Sequence, residues 1–277
     1  MKKTLTLLIL AAFTFQGLAQ DDKKFRFGLK MTPTINWLGI DDKNAFEGGG
    51  SVMKFNYGLL TEFHLAGAAW FSTGLQVDYD GGKIKSTATG FLAPPDNSTG
   101  IIFYAYDKNK GFLEFDKTDT TYESYWLRQR NYRSMFVTLP LQLRFKTKEI
   151  GYLTYFGNFG INMSVHIRTK ANDEVNAAST LYASTTELEN LKINDDMNFM
   201  RLGLVLGGGV EMNLSGTTSL LFGLHFFQGF LNSVKADSKY LLDAELTTAA
   251  SSSTYTPIAQ KQKFLHRNIG LTIGVLF

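Results

Sequence analysis

The chain has no cysteine, only 5 prolines, and no long apolar run beyond its first residues. Without cysteine there is no disulfide framework, no thiolate metal site, no thiol nucleophile and no lipid-modified N-terminus. Charged residues are also scarce, at 19% of 277 residues, and the formal net charge is only +3. No cluster of Lys and Arg stands out, so nucleic acid is not an expected partner. What is abundant is apolar surface (44%), aromatic rings (14%) and glycine (26 residues). That composition excludes disorder, collagen and coiled coil and fits a large β domain.

The chain opens with Lys2 and Lys3, continues through the apolar stretch Leu5 to Phe15, and reaches Gly17-Leu18-Ala19. A basic start, a short apolar core and small residues at the end make a cleavable secretory signal over residues 1–19. Its apolar stretch is too short for a spanning helix of roughly 20 residues. Cleavage removes two lysines and leaves the chain, residues 20–277, close to neutral.

From Phe25 onward the residues alternate with period two, the signature of a strand with one apolar and one polar face. Phe25, Phe27, Leu29 and Met31 oppose Arg26, Gly28, Lys30 and Thr32. The pattern recurs around residues 54–65, 71–80, 137–145, 153–168, 201–213, 219–230 and 268–277. Tight connections at 65–69, 146–149 and 214–217 alternate with long ones near 38–49, 85–133, 170–197 and 235–263. An even strand number with short turns on one rim and long loops on the other predicts an all-β fold. Specifically, it predicts a transmembrane antiparallel up-and-down β-barrel of about eight strands, with short periplasmic turns and long extracellular loops. A soluble lipocalin-like barrel shares the alternation but reverses the faces. The faces here, one of Gly, Ser, Asn and a few charges and the other of Leu, Ile, Val and Phe, favour a polar lumen and a lipid-facing wall. Aromatic residues near the rims (Phe25, Trp70, Phe71, Tyr152 and Phe277 at one, Trp37 and Tyr79 at the other) agree with interfacial girdles.

Several segments together resemble the PorT-like outer-membrane β-barrel family of Bacteroidota. They are Phe27-Gly28-Leu29-Lys30, Phe55-Asn56-Tyr57-Gly58-Leu59, Thr138-Leu139-Pro140-Leu141, the run Thr147 to Gly157, and the terminal Gly270 to Phe277. The resemblance covers nearly the whole chain after the signal. It implies an eight-stranded outer-membrane barrel and, from the family's namesake, a part in type IX protein secretion and gliding. The segment from Thr87 to Arg133 departs from the family by its length and its aromatic content. Phe277, at the end of an alternating strand, is similar to the C-terminal signal read by the barrel-assembly machinery.

The polar face carries a candidate lumen cluster: Arg26, Lys30, Glu62, Asp78, Arg144, Arg201 and Glu211. Lys54 and Arg168 share that face. Charges inside a barrel must pair or be hydrated. In a barrel of eight strands, whose interior is just filled by side chains, they are expected to form a plug, with an ion pathway as the alternative. The four histidines, His64, His166, His225 and His266, each fall on a different strand and on the polar face. No Gly-x-Ser-x-Gly elbow or His-Glu-x-x-His pair accompanies them, so no enzyme is expected. Asp41-Asp42 and Asp195-Asp196 lack the spacing of a calcium loop, and no metal or cofactor is expected. Gly207-Gly208-Gly209 is not followed by Lys-Ser/Thr and is read as a place where the sheet bends. The aromatic segment Gly100 to Arg133, with Tyr104, Tyr106, Tyr122, Tyr125, Trp126 and Tyr132, is a candidate extracellular recognition loop, since aromatics and Arg are enriched where proteins bind partners. The function expected is a non-enzymatic structural or accessory component of the cell envelope. Its expected partners are outer-membrane lipid, the barrel-assembly machinery and an envelope or secretion protein. A narrow channel or small-ligand binder using the lumen charges is the alternative.

Overall fold

The computed structural model describes residues 24–41, 45–87, 102–114, 123–177, 185–249 and 252–277, with side chains of 244–249 and 252–257 left aside. The signal over 1–19 and Tyr122 lie outside the described residues. The strands are β1 (Phe25–Ile40), β2 (Phe46–Gly48), β3 (Val52–Ala66), β4 (Ala69–Thr73), β5 (Gln76–Ser86), β6 (Ile102–Asp107), β7 (Gly111–Leu113) and β8 (Glu123–Lys146). They continue as β9 (Leu153–Ala177), β10 (Thr186–Lys192), β11 (Met200–Ser215), β12 (Thr218–Gly229), β13 (Asp237–Ala249), β14 (Ser252–Lys261) and β15 (Phe264–Leu276).

Eight staves close into a ring. Going round, β1 pairs with β3, β3 with β4 and β5, these with β8, then β9, β11, β12 and β15, which returns to β1. All of these pairings are antiparallel, so the all-β up-and-down barrel expected from the periodicity is what forms. Closure removes the free edges that an open sheet would expose. The last residue completes the seam, as the Phe277 N–H donates to the Phe27 carbonyl at 2.7 Å.

β4 and β5 form one stave interrupted at Gly74, where φ is +150°. A Cβ there would lie 2.1 Å from the Leu59 carbonyl oxygen, so the position excludes side chains on two grounds. Pairing with β3 resumes immediately, the Leu59 N–H donating to the Leu75 carbonyl at 2.8 Å. Gly74→Val is expected to destabilise the barrel by about 1–3 kcal/mol, the usual range for a strained backbone. A urea titration of the folded protein in detergent reads this directly, and an unchanged midpoint would contradict the strained geometry.

The two faces divide as the alternation requires. Outward positions form an exposed apolar wall, including Phe27, Leu29, Leu59, Phe159, Ile161, Leu224 and Leu271, while Arg26, Glu62, Asp78, Thr138, Arg144, Arg201 and Glu211 are buried in the lumen. Ring pairs such as Phe25 with Phe63 and Phe145 with Phe159 tie adjacent staves on the outer surface.

The long connections differ from the sequence expectation. Much of 85–133, 170–197 and 235–263 is strand rather than loop. β8 and β9 run 24 and 25 residues, far beyond the 9–11 that cross a bilayer, and β6–β7, β10 and β13–β14 extend this upper wall. Part of the alternation there is shifted in phase by two bulges, at Leu127/Gln129 on β8 and opposite Met135/Phe136 on β9. Above the second bulge Thr169, Ala171, Asp173 and Val175 turn inward and Arg168 turns out. Arg168 is therefore not on the lumen face, contrary to the simple period-two count.

Candidate functional site

The interior is filled in three tiers, described from the short-turn end upward. The lowest is a cluster of three cations around two carboxylates. Arg26 Nη1 donates to Glu211 Oε2 at 2.6 Å and Nη2 to Ser219 Oγ at 2.9 Å. Lys146 Nζ bridges Glu62 Oε2 at 2.5 Å and Glu211 Oε1 at 2.6 Å, and Arg144 pairs with Glu62. Aromatic faces complete the shell, with the Arg144 guanidinium 4.3 Å from the Phe156 ring and Lys146 Nζ 4.6 Å from Trp70. Each charge thus has an opposite charge or a ring quadrupole beside it, which is what burial requires.

Glycines make room for this tier. Gly209 lies between Phe156 on β9 and Gly223 on β12 in register, and a Cβ on Gly209 would fall 2.8 Å from Phe156 Cζ. Gly209, the last of the Gly207-Gly208-Gly209 run, and Gly223 thus leave space for the inward Phe156 ring, a more specific purpose for that position than the bend expected of the run.

The middle tier centres on Arg201. Its Nη1 donates to Asp80 Oδ2 at 2.6 Å and approaches His266 Nδ1 at 3.2 Å, while Nη2 lies 3.6 Å from Asp78 Oδ2. Phe136 and Phe227 sandwich the guanidinium at 4.1 and 5.1 Å. Phe227, the residue that spoils the polar side of its strand in the sequence, is thus an inward plate for Arg201. Thr138 donates to Asp78 Oδ2 at 2.5 Å. Between the two tiers is a cavity of about 40 Å³ lined by Lys30, Gln142, Asn158, His225 and Thr272, among others. It has room for a few waters and no more.

The upper tier is apolar with one ion pair in it. Phe46, Ile84, Ile102, Leu127, Ile193, Leu241 and Phe264 are part of a continuous buried cluster. Within it Arg130 grips Asp173 with two hydrogen bonds, Nε to Oδ1 at 2.8 Å and Nη2 to Oδ2 at 2.7 Å. The Tyr104 hydroxyl donates to the same carboxylate at 2.8 Å. Burial first, and then the Asp173 carboxylate, hold the Tyr104 phenol well above its ordinary pKa, so it stays a donor.

All seven residues of the expected lumen cluster point inward. Six of them join ion pairs, whereas Lys30 faces the cavity with no ion-pair partner among the described residues. The sequence reading of the cluster omitted Lys146, Asp80, Arg130 and Asp173. Lys146 and Asp80 continue the phase of Arg144 and Asp78 and were within reach of the periodicity. Asp173 lies beyond the bulge at Ile167, where phase counting fails, whereas Arg130 keeps the inward phase of Arg144 along β8 and was within reach of the same count. The recognition loop is corrected: Tyr104 and Tyr132 are 1% and 3% exposed and belong to the upper core. Phe112 stacks on Tyr240 at 4.3 Å, so the described part of this segment packs on the barrel. Tyr106, Tyr125 and Trp126 keep partial exposure. Of the histidines, His225 and His266 are inward, His64 packs in a tilted pair with Trp70 at the short-turn rim, and His166 bonds Thr169 Oγ1 at 2.8 Å.

A closed antiparallel ring with an apolar outer wall and a filled polar interior defines a β-barrel integral to an outer membrane. The chain belongs to the outer membrane protein beta-barrel domain family, whose family model matches residues 18–235. No curated protein matches it. Among solved structures it is similar to Neisserial surface protein A (9% identity, TM-score 0.37, covering 91% of this chain and 96% of that one). It is also similar to OprG of Pseudomonas aeruginosa (10%, 0.37, 90% and 94%) and to the attachment invasion locus protein Ail of Yersinia pestis (10%, 0.31, 92% and 99%).

Proposed function

We propose that this protein is a closed outer-membrane barrel with a non-enzymatic, structural or accessory role in the cell envelope. In this reading the signal over 1–19 exports it, both termini and the short turns lie on the periplasmic side, and the long-strand end faces outward. Phe277 serves as the signal for the barrel-assembly machinery. The observation that carries the reading is the filled lumen: among the described residues, two tiers of paired charges below an apolar core leave no continuous aqueous path wide enough for solute. Against an enzyme, the inward hydroxyls of Ser164 and Thr138 are committed to each other, to Asp78 and to Arg201. The resemblance to PorT-like barrels supports placing the accessory role in a type IX secretion or gliding assembly. Among the described residues of the candidate loop, Tyr106, Tyr125 and Trp126 keep partial exposure with which to meet a partner there.

The test is reconstitution of heat-modifiable folded protein into a planar bilayer. A closed barrel gives no stepwise conductance, and deletion of β13–β14 (residues 237–261) gives none either, because the lower two tiers still fill the lumen. Steady single-channel steps from the intact protein would overturn the reading and establish the channel alternative through the Lys30 cavity.

A further inference from the structure

On the outer wall, the apolar band ends abruptly on two neighbouring staves, β8 and β9, with β10 paired to β9 above it. On β8 the outward residues pass from Leu139, Val137 and Met135 to Arg133. On β9 they pass from Met163, Val165 and Ile167 to Arg168 and Lys170, with the bulge supplying the adjacent cation. The register then sets Arg133 opposite Lys170, and Lys170 opposite Lys192 of β10. Since neighbouring strands lie about 4.8 Å apart, three cations form a row across three strands, and Arg168 sits one step below beside Met135.

None of these four takes part in an ion pair among the described residues, in contrast to Lys239 and Lys263, which pair with Asp195 and Asp41. Arg133 has a polar restraint, Nη2 donating to Asn190 Oδ1 at 2.8 Å, which holds its head toward β10. Asn190 has φ 60° at the β10 irregularity, and its N–H donates to Asn172 Oδ1 at 3.1 Å. Arg133 is thus held across β9 by an Asn190 that is itself anchored to β9. Elsewhere on the wall, Phe199, Met200, Phe230 and Leu231 stay exposed and apolar.

We propose that Arg133, Arg168, Lys170 and Lys192 form a docking site for a phosphate-bearing lipid of the outer leaflet, its acyl chains lying on the apolar wall below. Uncompensated like charges at this spacing repel one another, and a phosphate relieves that repulsion while accepting hydrogen bonds from several donors. Their height at the top of the apolar band is where a lipid's phosphates sit when its chains are buried, a geometry that a soluble anion does not require. The inference rests on the proposed outward orientation of the long-strand end, which cysteine labelling of intact cells at Lys239 tests separately.

The experiment measures the heat-modification midpoint of the full folded chain in neutral detergent. The probes are bis-phosphorylated lipid A, the same lipid stripped of phosphates, and inorganic phosphate at equal phosphate concentration. The phosphorylated lipid is expected to raise the midpoint as a ligand that binds only the folded state. The stripped lipid and free phosphate are expected to leave it in place. The variant R133Q/R168Q/K170Q/K192Q loses the shift, and R133K/R168K retains most of it. If the quadruple variant does not fold, the two pairs R133Q/K170Q and R168Q/K192Q each show a reduced shift. A full shift in the glutamine variants, or an equal shift from stripped lipid or from phosphate alone, overturns the proposal.

Discussion

Glu62→Ala is expected to destabilise the folded barrel by about 3–5 kcal/mol, the cost of removing one partner from a buried charge network. Glu62 is fully buried and holds Arg144 and Lys146 directly, with Arg26 3.9 Å away. Without it, three cations share Glu211 in an interior with little water to screen them. The measurement is the urea midpoint of the reconstituted protein, followed by the mobility shift between boiled and unboiled samples. Removing a cation as well should restore part of the loss. Glu62→Gln/Lys146→Met leaves Arg26 and Arg144 against Glu211 and is expected to lie between wild type and the single variant. A Glu62→Ala midpoint indistinguishable from wild type would mean that the lower tier is hydrated and open, which would also weaken the closed-lumen reading.

The second large effect belongs to the upper tier. Asp173→Ala leaves Arg130, with no measurable exposure, in an apolar cluster without its carboxylate, and takes the acceptor from the Tyr104 hydroxyl. The expected cost is again about 3–5 kcal/mol. Here the surroundings make a sharper contrast available. Replacing both partners, as Arg130→Met/Asp173→Leu, removes the desolvated charges together and is expected to come close to wild-type stability or exceed it. Tyr104→Phe, which removes a single donor to Asp173, should cost only about 1 kcal/mol. If the double variant were as unstable as the single, the pair would have a role in specifying strand register that apolar packing cannot replace.

Much of the barrel is legible in the sequence because strand geometry is local. Where a stave is uninterrupted, as from Phe25 to Trp37 or from Asn268 to Phe277, one apolar residue identifies the face of all its neighbours. The inward set Arg26, Glu62, Asp78, Arg144, Arg201 and Glu211 follows from that rule alone. The rule fails at Arg128 and Ile167, where one extra residue inverts the faces above it, and a bulge leaves no residue-type signature in either place. The aromatic segment from Gly100 to Arg133 is missed for another reason. Tyr132 keeps the inward phase of Phe136 and Thr138, but Arg130 and Ser134 on its face and Asn131 and Arg133 on the other leave no apolar face to count. Tyr104 sits in β6, where four consecutive residues are buried.

By itself, then, the sequence determined that the chain is an all-β barrel with a charged interior and an apolar wall, since period two and the spacing of turns need no knowledge of partners. Only the tertiary structure decided which charges meet. Arg26 and Glu211 are 185 residues apart, and Arg130 and Asp173 are 43 apart across a bulge. Ring closure, register and the stagger of the strands set those pairings, and they depend on the whole sheet at once. The same holds for the row Arg133, Lys170 and Lys192, which becomes one surface only when three strands are laid side by side.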